Sequence, residues 1–318
     1  MPHPTPASDL RMASTATIAV VERDGFVESR HEGIVAMVAP DGSVLATAGD
    51  VDAPFLARSA LKPLFAATVA ERLGLAGREL AIASGSIVGR AEQVEVAAAM
   101  AQRLGVEPGA LLCAPRRTRW IDAPTRLAAI CAGKHVVLAA AAALAHDAAG
   151  LAYTDPAHPL QRELRAAVEA RSGVTSTATA TDGCSAPVYA SSVLGMARAV
   201  RGLAATGDDE ALAAVGLAMR TDPWLVEGPG APDTVLMERL GVTAKFGAEG
   251  TQVIVAPDGT AVVVKVADGA RRAGAPVAIA LLEQAGALPT GSLAAVEGEL
   301  GLLQHGGSAV VGRVRPLL

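Results

Sequence analysis

Residues Thr251-Gln-Val-Ile-Val-Ala-Pro-Asp-Gly-Thr-Ala-Val-Val-Val-Lys-Val266 decide the fold class. Two β-branched runs, Gly250 to Ala256 and Ala261 to Val266, flank Pro257-Asp258-Gly259. An Asp-Gly pair between such runs is a strong short-range signal for a β-hairpin. The N-terminal end carries the same signals. Thr17 to Val21 reads as a strand, Arg23-Asp24-Gly25 as a turn, and Val27 to Arg30 leads into Gly33 to Val38. Pro40-Asp41-Gly42 turns the chain again, and Ser43 to Thr47 returns. Between the two β regions the apolar residues recur at helical spacing over Arg58 to Leu75, Arg90 to Leu104, Val136 to Ala145, Gln161 to Ser172, Pro187 to Ala205 and Glu210 to Arg220. Leu80 to Ser86 is a short apolar strand or buried segment, and Pro276 to Ala285 a last helix. Strands at both ends of a helical middle predict an α+β domain in which the terminal hairpins share one antiparallel sheet. No Pro/Ser linker or internal repeat divides the chain. One domain is expected over 1–318, with residues 1–14 a flexible tail.

Composition narrows the function. Of the 318 residues 51% are hydrophobic, so a large core is available, packed by Ala, Val, Leu and Gly because aromatics are only 3%. The net charge is −5 and no basic block occurs, which argues against binding driven by nucleic-acid phosphates. The richest apolar run, Val136 to Ala145, is too short to span a membrane. No apolar signal segment precedes the first strand. The three cysteines, Cys113, Cys131 and Cys184, have no disulfide-framework spacing, and a reducing cytoplasm is expected.

Three segments carry chemistry. In Arg58-Ser59-Ala60-Leu61-Lys62-Pro63 a serine and a lysine stand three residues apart where a helix begins. That spacing puts them on one face, with Ser59 Oγ and Lys62 Nζ within hydrogen-bonding reach. A serine needs a neighbouring base, and a buried lysine can be one. The bland alternative is a helix-start serine beside a solvated lysine. Cys131-Ala-Gly-Lys134-His135 repeats the spacing with a thiol at the start of the most apolar helix. A lysine entering so apolar a helix must find a partner. Thr181-Asp182-Gly183-Cys184-Ser185-Ala186-Pro187 is a tight loop that opens the helix after it. Asp182 there suits a cap, a ligand for a substrate ammonium, or a chain turn. Two cysteines in separate loops are too few for a structural zinc site but suffice, with a third ligand, for an open one. Lys245, in a Gly-bounded loop, is a second candidate cation or a solvated lysine. Ser84 and Ser86 have nothing local to single them out. Cys113 reads as structural and His158 as a turn residue. No H-x-x-x-H spacing, P-loop, G-x-G-x-x-G or G-x-S-x-G elbow is present.

Taken together, these segments resemble the bacterial L-asparaginase II family of the rhizobial type, which belongs with the serine β-lactamase-like enzymes. The matching pieces run in the family's order: Val27 to His31, Arg58 to Pro63, Cys131 to His135, Asp155 to Gln161, Asp182 to Pro187, Pro232-Asp233-Thr234, Lys245 to Gly250, and Lys265 to Gly269. The resemblance implies hydrolysis of L-asparagine to aspartate and ammonia through an acyl-enzyme. It assigns Ser59 and Lys62 as nucleophile and base, and Ser84 and Lys245 as a second catalytic pair. It places Asp182, with Gly183, Arg58 and Ser86, around the small-molecule substrate. It implies a zinc ion held by Cys131, Lys134 and Cys184, and a homodimer. The chain departs from the family at Ile82, Gly85 and Ile87-Val88-Gly89, after Cys113, before Cys131, and at Gly228-Pro229-Gly230-Ala231. These changes fall in the substrate-reading shell. They keep open an altered member that binds or hydrolyses a different small amino acid amide. A β-lactamase proper is disfavoured, since S-D-N and K-T-G are absent.

Overall fold

A computed structural model describes residues 13–144, 150–204 and 209–318. Most of the expected N-terminal tail and the end of the Val136-to-Ala145 segment lie outside the described residues. The terminal hairpins do share a sheet. It has eight strands, seven of them in the order Leu303–Gly306, Ala309–Pro316, Ala16–Arg23, Phe26–Val38, Ala261–Val266, Thr251–Val255 and Thr243–Gly247. The eighth, Val44–Ala48, pairs with the far end of Phe26–Val38. Every pairing is antiparallel. The two ends of the chain meet in it, Val21 opposite Val314 and Ala36 opposite Val263. Val253, Ile254, Val262 and Val263 are buried, so the central strands are covered on both faces. Helix Gly274–Gln284 packs on this sheet, and so does Val193–Val200.

The remaining helices form a second cluster. Lys62–Leu73 contacts Ala132–Leu144, Pro159–Ser172 and Glu210–Thr221. At its front the chain makes a 3₁₀ turn, Arg58–Leu61, before the α-helix starts at Lys62 with Pro63 in its first turn. Two glycines allow close approaches that set up the site. A Cβ on Gly133 would fall 2.1 Å from the Ile82 carbonyl oxygen, so only glycine lets helix Ala132–Leu144 lie against Arg78–Ala83. A Cβ on Gly247 would fall 2.4 Å from the Ala57 carbonyl oxygen, so the strand carrying Lys245 can press on the turn that carries Ser59.

Three local expectations need correction and a fourth holds. Leu80 to Ser86 is neither strand nor featureless: it is the helix Arg78–Ala83, with Ser84 as its C-cap. Pro187 opens a strand, Pro187–Ser192, because Val188 and Tyr189 pair with Ala180 and Thr179; the helix starts only at Val193, capped by Ser192 Oγ. Lys245 lies on the strand Thr243–Gly247 and is buried, not in a solvated loop. His158 is the turn residue expected, its amide closing on the Asp155 carbonyl at 2.9 Å, and it is also a helix N-cap, its Nδ1 accepting from the Leu160 amide at 3.1 Å.

Candidate active site

Ser59, half-buried, opens onto a cleft of about 390 Å³. Arg58, Cys131, Asp182, Gly183, Cys184 and Arg116 line the same cleft. Arg58 has φ +53°, the left-handed region that non-glycine residues seldom occupy. Such a residue costs about 1–3 kcal/mol and persists where its surroundings hold it. Here the hold is an ion pair: Arg58 Nε donates to Asp182 Oδ1 at 2.8 Å. The Asp182 loop is itself a hairpin between Thr179–Thr181 and Pro187–Ser192, closed by the Asp182 amide on the Ala186 carbonyl at 2.9 Å.

Lys62 does not meet Ser59. The fully buried ammonium donates to the Gly85 carbonyl at 2.5 Å and to Ser86 Oγ at 3.0 Å. Both acceptors come from the loop after Arg78–Ala83, which the Gly133 approach brings to this place. A buried ammonium needs more than one acceptor, and the helix's own first turn offers only Ser59. Burial pushes the Lys62 pKa below its ordinary value; the Cys131 sulfur beside it opposes that, and the Lys134 charge adds to it. Ser84 Oγ is buried without a hydrogen-bond partner. Its expected partner Lys245 instead donates to the Phe246 carbonyl at 2.7 Å.

The resemblance attached no role to Asp233, yet it stands beside Lys245. Asp233 Oδ2 lies 3.8 Å from Lys245 Nζ, and neither side chain is exposed. Asp233 also accepts from the Phe246 amide at 2.7 Å and from Gln252 Nε2 at 3.1 Å. Its own amide donates to Glu227 Oε2 at 3.0 Å. Arg271 holds both oxygens of Glu227 and lies 3.7 Å from Asp233. Burial and the neighbouring Glu227 push the Asp233 carboxyl up. Burial pushes Lys245 down to about 8, only partly opposed by Asp233. An aspartate directly after a helix-initial proline reads locally as a dipole partner. The one sequence hint was that this helix otherwise buries Thr234, Val235, Leu236 and Met237.

Lys134 finds the partners its burial demands. Its Nζ donates to Cys184 Sγ at 3.0 Å and lies 3.7 Å from Asp182 Oδ2. Burial alone would lower its pKa, but Cys131, Cys184 and Asp182 outweigh that and raise it. The Cys184 thiol donates to the Cys131 sulfur, which together with Lys62 and Lys134 draws Cys131 toward the thiolate and holds Cys184 protonated. Cys113, expected to be structural, is buried but also lines the cleft. His135 is tied to Tyr153 Oη at 2.8 Å, and burial with the adjacent Lys134 charge lowers it to about 3.

Cys131, Asp182 and Cys184 place one donor atom each within 4.8 Å of one another. Ligands about 2.3 Å from a tetrahedral zinc lie about 3.8 Å apart. Two thiols and a carboxylate are donors that zinc accepts, and Lys134, held protonated by the same neighbours, could join them only as the neutral amine. The residues present therefore fit the metal that the resemblance implies.

The profile of L-asparaginase II matches residues 19–316, nearly the whole chain, and the protein belongs to that family. No curated protein matches it. Among solved structures, Mglu in its glutamate form is 13% identical, with a TM-score of 0.46 over 80% of this chain and 61% of that one. The covalent complex of the Bacillus subtilis glutaminase YbgJ with 5-oxo-L-norleucine is 12% identical, with a TM-score of 0.42 over 81% and 89%. A β-lactamase from Mycobacterium bovis is 18% identical, with a TM-score of 0.36 over 79% and 94%. The chain spans less than two thirds of the length of Mglu in its native and glutamate forms, 65% and 61%. Among the described residues no helix is long and apolar enough to cross a membrane.

Proposed function

We propose that this protein hydrolyses the side-chain amide of L-asparagine, or of a closely related small amino acid, through an acyl-enzyme on Ser59. One observation carries the reading: Ser59 opens on the cleft that Asp182 and the cysteine pair also line, one helical turn before a buried lysine. Ser59 Oγ attacks the amide carbonyl, and Lys62, which burial inclines to give up its own proton, takes the serine proton after turning from the Gly85 and Ser86 acceptors that hold it here. Ser86, bonded to Lys62, stands as the hydroxyl through which that proton reaches the departing nitrogen. The C–N bond breaks, ammonia leaves, and water cleaves the ester to give the acid and free Ser59. Asp182 offers the anion for the substrate ammonium. Ser84 and Lys245 are the second pair, with Lys245 supplying positive charge from beneath the site.

Cys131, Lys134 and Cys184, with Asp182 beside them, would hold a zinc ion in this reading. When bound it would supply Lewis-acid polarisation near the substrate. A homodimer and a cytoplasmic setting complete the proposal, the first checked by light scattering of the purified chain.

The test is ammonia release from L-asparagine and L-glutamine by the wild type and by Ser59→Ala. Release from wild type that vanishes in the variant, with an acyl adduct on Ser59 trapped by an amide analogue and seen by mass spectrometry, supports the reading. Full activity in Ser59→Ala sinks it. The rewritten Ile82-to-Arg90 segment motivates a second reading, a family member that binds a small amino acid without turning it over. That one predicts no ammonia but a melting temperature raised by the ligand.

A further inference from the structure

The cleft holds a cation that no anion answers. Its lining carries three charged side chains: Arg58, Arg116 and Asp182. Asp182 is already committed twice, to Arg58 at 2.8 Å and to Lys134 at 3.7 Å. Arg116 has no carboxylate within ion-pair distance among the described residues. Its contact is neutral: Nη1 donates to the Ile87 carbonyl at 3.3 Å. That tether fixes the guanidinium against the segment that carries Ser86. The Ile87 amide in turn donates to the Ile130 carbonyl at 3.0 Å, joining the same segment to the cleft wall at Ile130. Arg116 sits on the short hairpin Arg116–Thr118 with Ile121–Thr125, where its backbone pairs with Thr125. It is half-buried, and much of the remaining wall is apolar: Ala114, Pro115, Ala129 and Ala248.

An arginine held by one neutral hydrogen bond keeps most of its five donors for a ligand. Its planar fork matches a carboxylate, and an apolar surround strengthens the contact by excluding water. We propose that Arg116 receives the carboxylate of the substrate, so that the cleft selects amides bearing a free carboxylate and discriminates against the same amides with that group capped. The inference rests on the amidohydrolase reading for what the ligand is, but not for how it is bound. It divides the recognition of a zwitterion between two walls. Asp182 attracts the ammonium, and Arg116 on the other hairpin takes the carboxylate, while Arg58 keeps the Asp182 loop in place.

Calorimetry on the full-length Ser59→Ala protein, in which turnover is suppressed, tests this with two ligands. L-asparagine carries the carboxylate; L-aspartic acid diamide presents the same skeleton with that carboxylate replaced by a neutral amide. Arg116→Met in this background should weaken L-asparagine binding by about tenfold or more, the loss expected for a charge-assisted pair, and leave the diamide unchanged. Arg116→Lys, which keeps the charge and loses the fork, should fall between. Equal weakening for both ligands, no weakening for L-asparagine, or no binding of either ligand to the Ser59→Ala protein overturns the proposal. Melting temperatures of the variants check that each is folded. If the contrast holds while wild type releases no ammonia, the hydrolase reading falls and the carboxylate site stands. If ammonia is released and the contrast is absent, the reverse is true.

Discussion

Lys62 and Lys245 are buried to the same degree and live in different company. Lys62 has a carbonyl and a hydroxyl as partners, with no carboxylate at ion-pair distance among the described residues. Lys245 faces Asp233, which is backed by Gln252, Glu227 and Arg271. Burial pushes both lysines down; what pulls back is the Cys131 sulfur at Lys62 and the Asp233 carboxylate at Lys245. A lysine whose counter-charge is a thiol sulfur, itself able to take up a proton, can yield its proton to chemistry. One held against a carboxylate can remain a fixed charge. The two lysines therefore divide base and cation between them by their surroundings alone.

The largest effect should come at the nucleophile that Lys62 serves. Ser59→Ala is expected to lower kcat for amide hydrolysis by about 10³-fold or more. Its melting temperature should barely move, since the Ser59 hydroxyl makes no hydrogen bond among the described residues and its carbonyl, which accepts from the Lys62 amide, is kept in alanine. If activity survived, Ser86, the serine bonded to Lys62, would become the better candidate. Lys62→Met should cost about 10²- to 10⁴-fold in rate, the usual share of a general base. The protein should stay folded, because an apolar side chain of similar length removes a buried charge that no carboxylate pairs, and the Cys131 thiol can take up a proton in its place. A rate unchanged by Lys62→Met would erase the distinction between the two lysines.

On the other side the effect falls on stability. Asp233→Ala leaves Lys245 and Arg271 facing a void, and should cost about 3–5 kcal/mol in denaturant unfolding. A loss below about 1 kcal/mol would mean that Glu227 alone neutralises both cations. The pH dependence is smaller and has a definite sign. In the folded chain Lys245 titrates near 8, against 10.5 when unperturbed. Between those values the unfolded chain holds a proton that the folded chain has lost, so unfolding free energy rises with pH over that window. Thermal unfolding from pH 7.5 to 10.5 should show this rise in the wild type, and less of it in Lys245→Met. The smallest effect belongs to Ser84. Its Oγ is buried without a partner, so Ser84→Ala should leave stability unchanged or raise it by about 1 kcal/mol. Activity lost despite intact stability would place Ser84 in the chemistry that the Lys245 pairing implies.

Much was legible in one dimension. The Asp-Gly hairpin, the N-terminal meander, and the helices near Arg90 to Leu104 and Gln161 to Ser172 follow from turn chemistry and apolar period. Each of those signals acts over a few residues. The C-terminal strands Leu303–Gly306 and Ala309–Pro316 were not anticipated. Their exposed faces lack strong alternation, and they gain their order from pairing with Ala16–Arg23. Leu80 to Ala83 was ambiguous for the opposite reason, because a short run buried all round shows no period. Tyr189 pulled Pro187–Ser192 into a strand through a partner that lies before the Asp182 loop.

The chain by itself determined which residue types were available to the site: the Ser59 and Lys62 turn, the two cysteine loops, and the lysines that had to be buried. Those rest on local spacing and on the cost of burying charge, which any sequence displays. Only the tertiary structure decided who pairs with whom. Lys62 takes Ser86 from 24 residues away, Lys134 takes Cys184, Asp182 holds Arg58 in a strained turn, and Asp233 stands under Lys245. In a dry interior a charge goes to the best acceptors within reach. Reach there is set by how closely helices and strands can approach, at Gly133 and Gly247 above all, and not by distance along the chain.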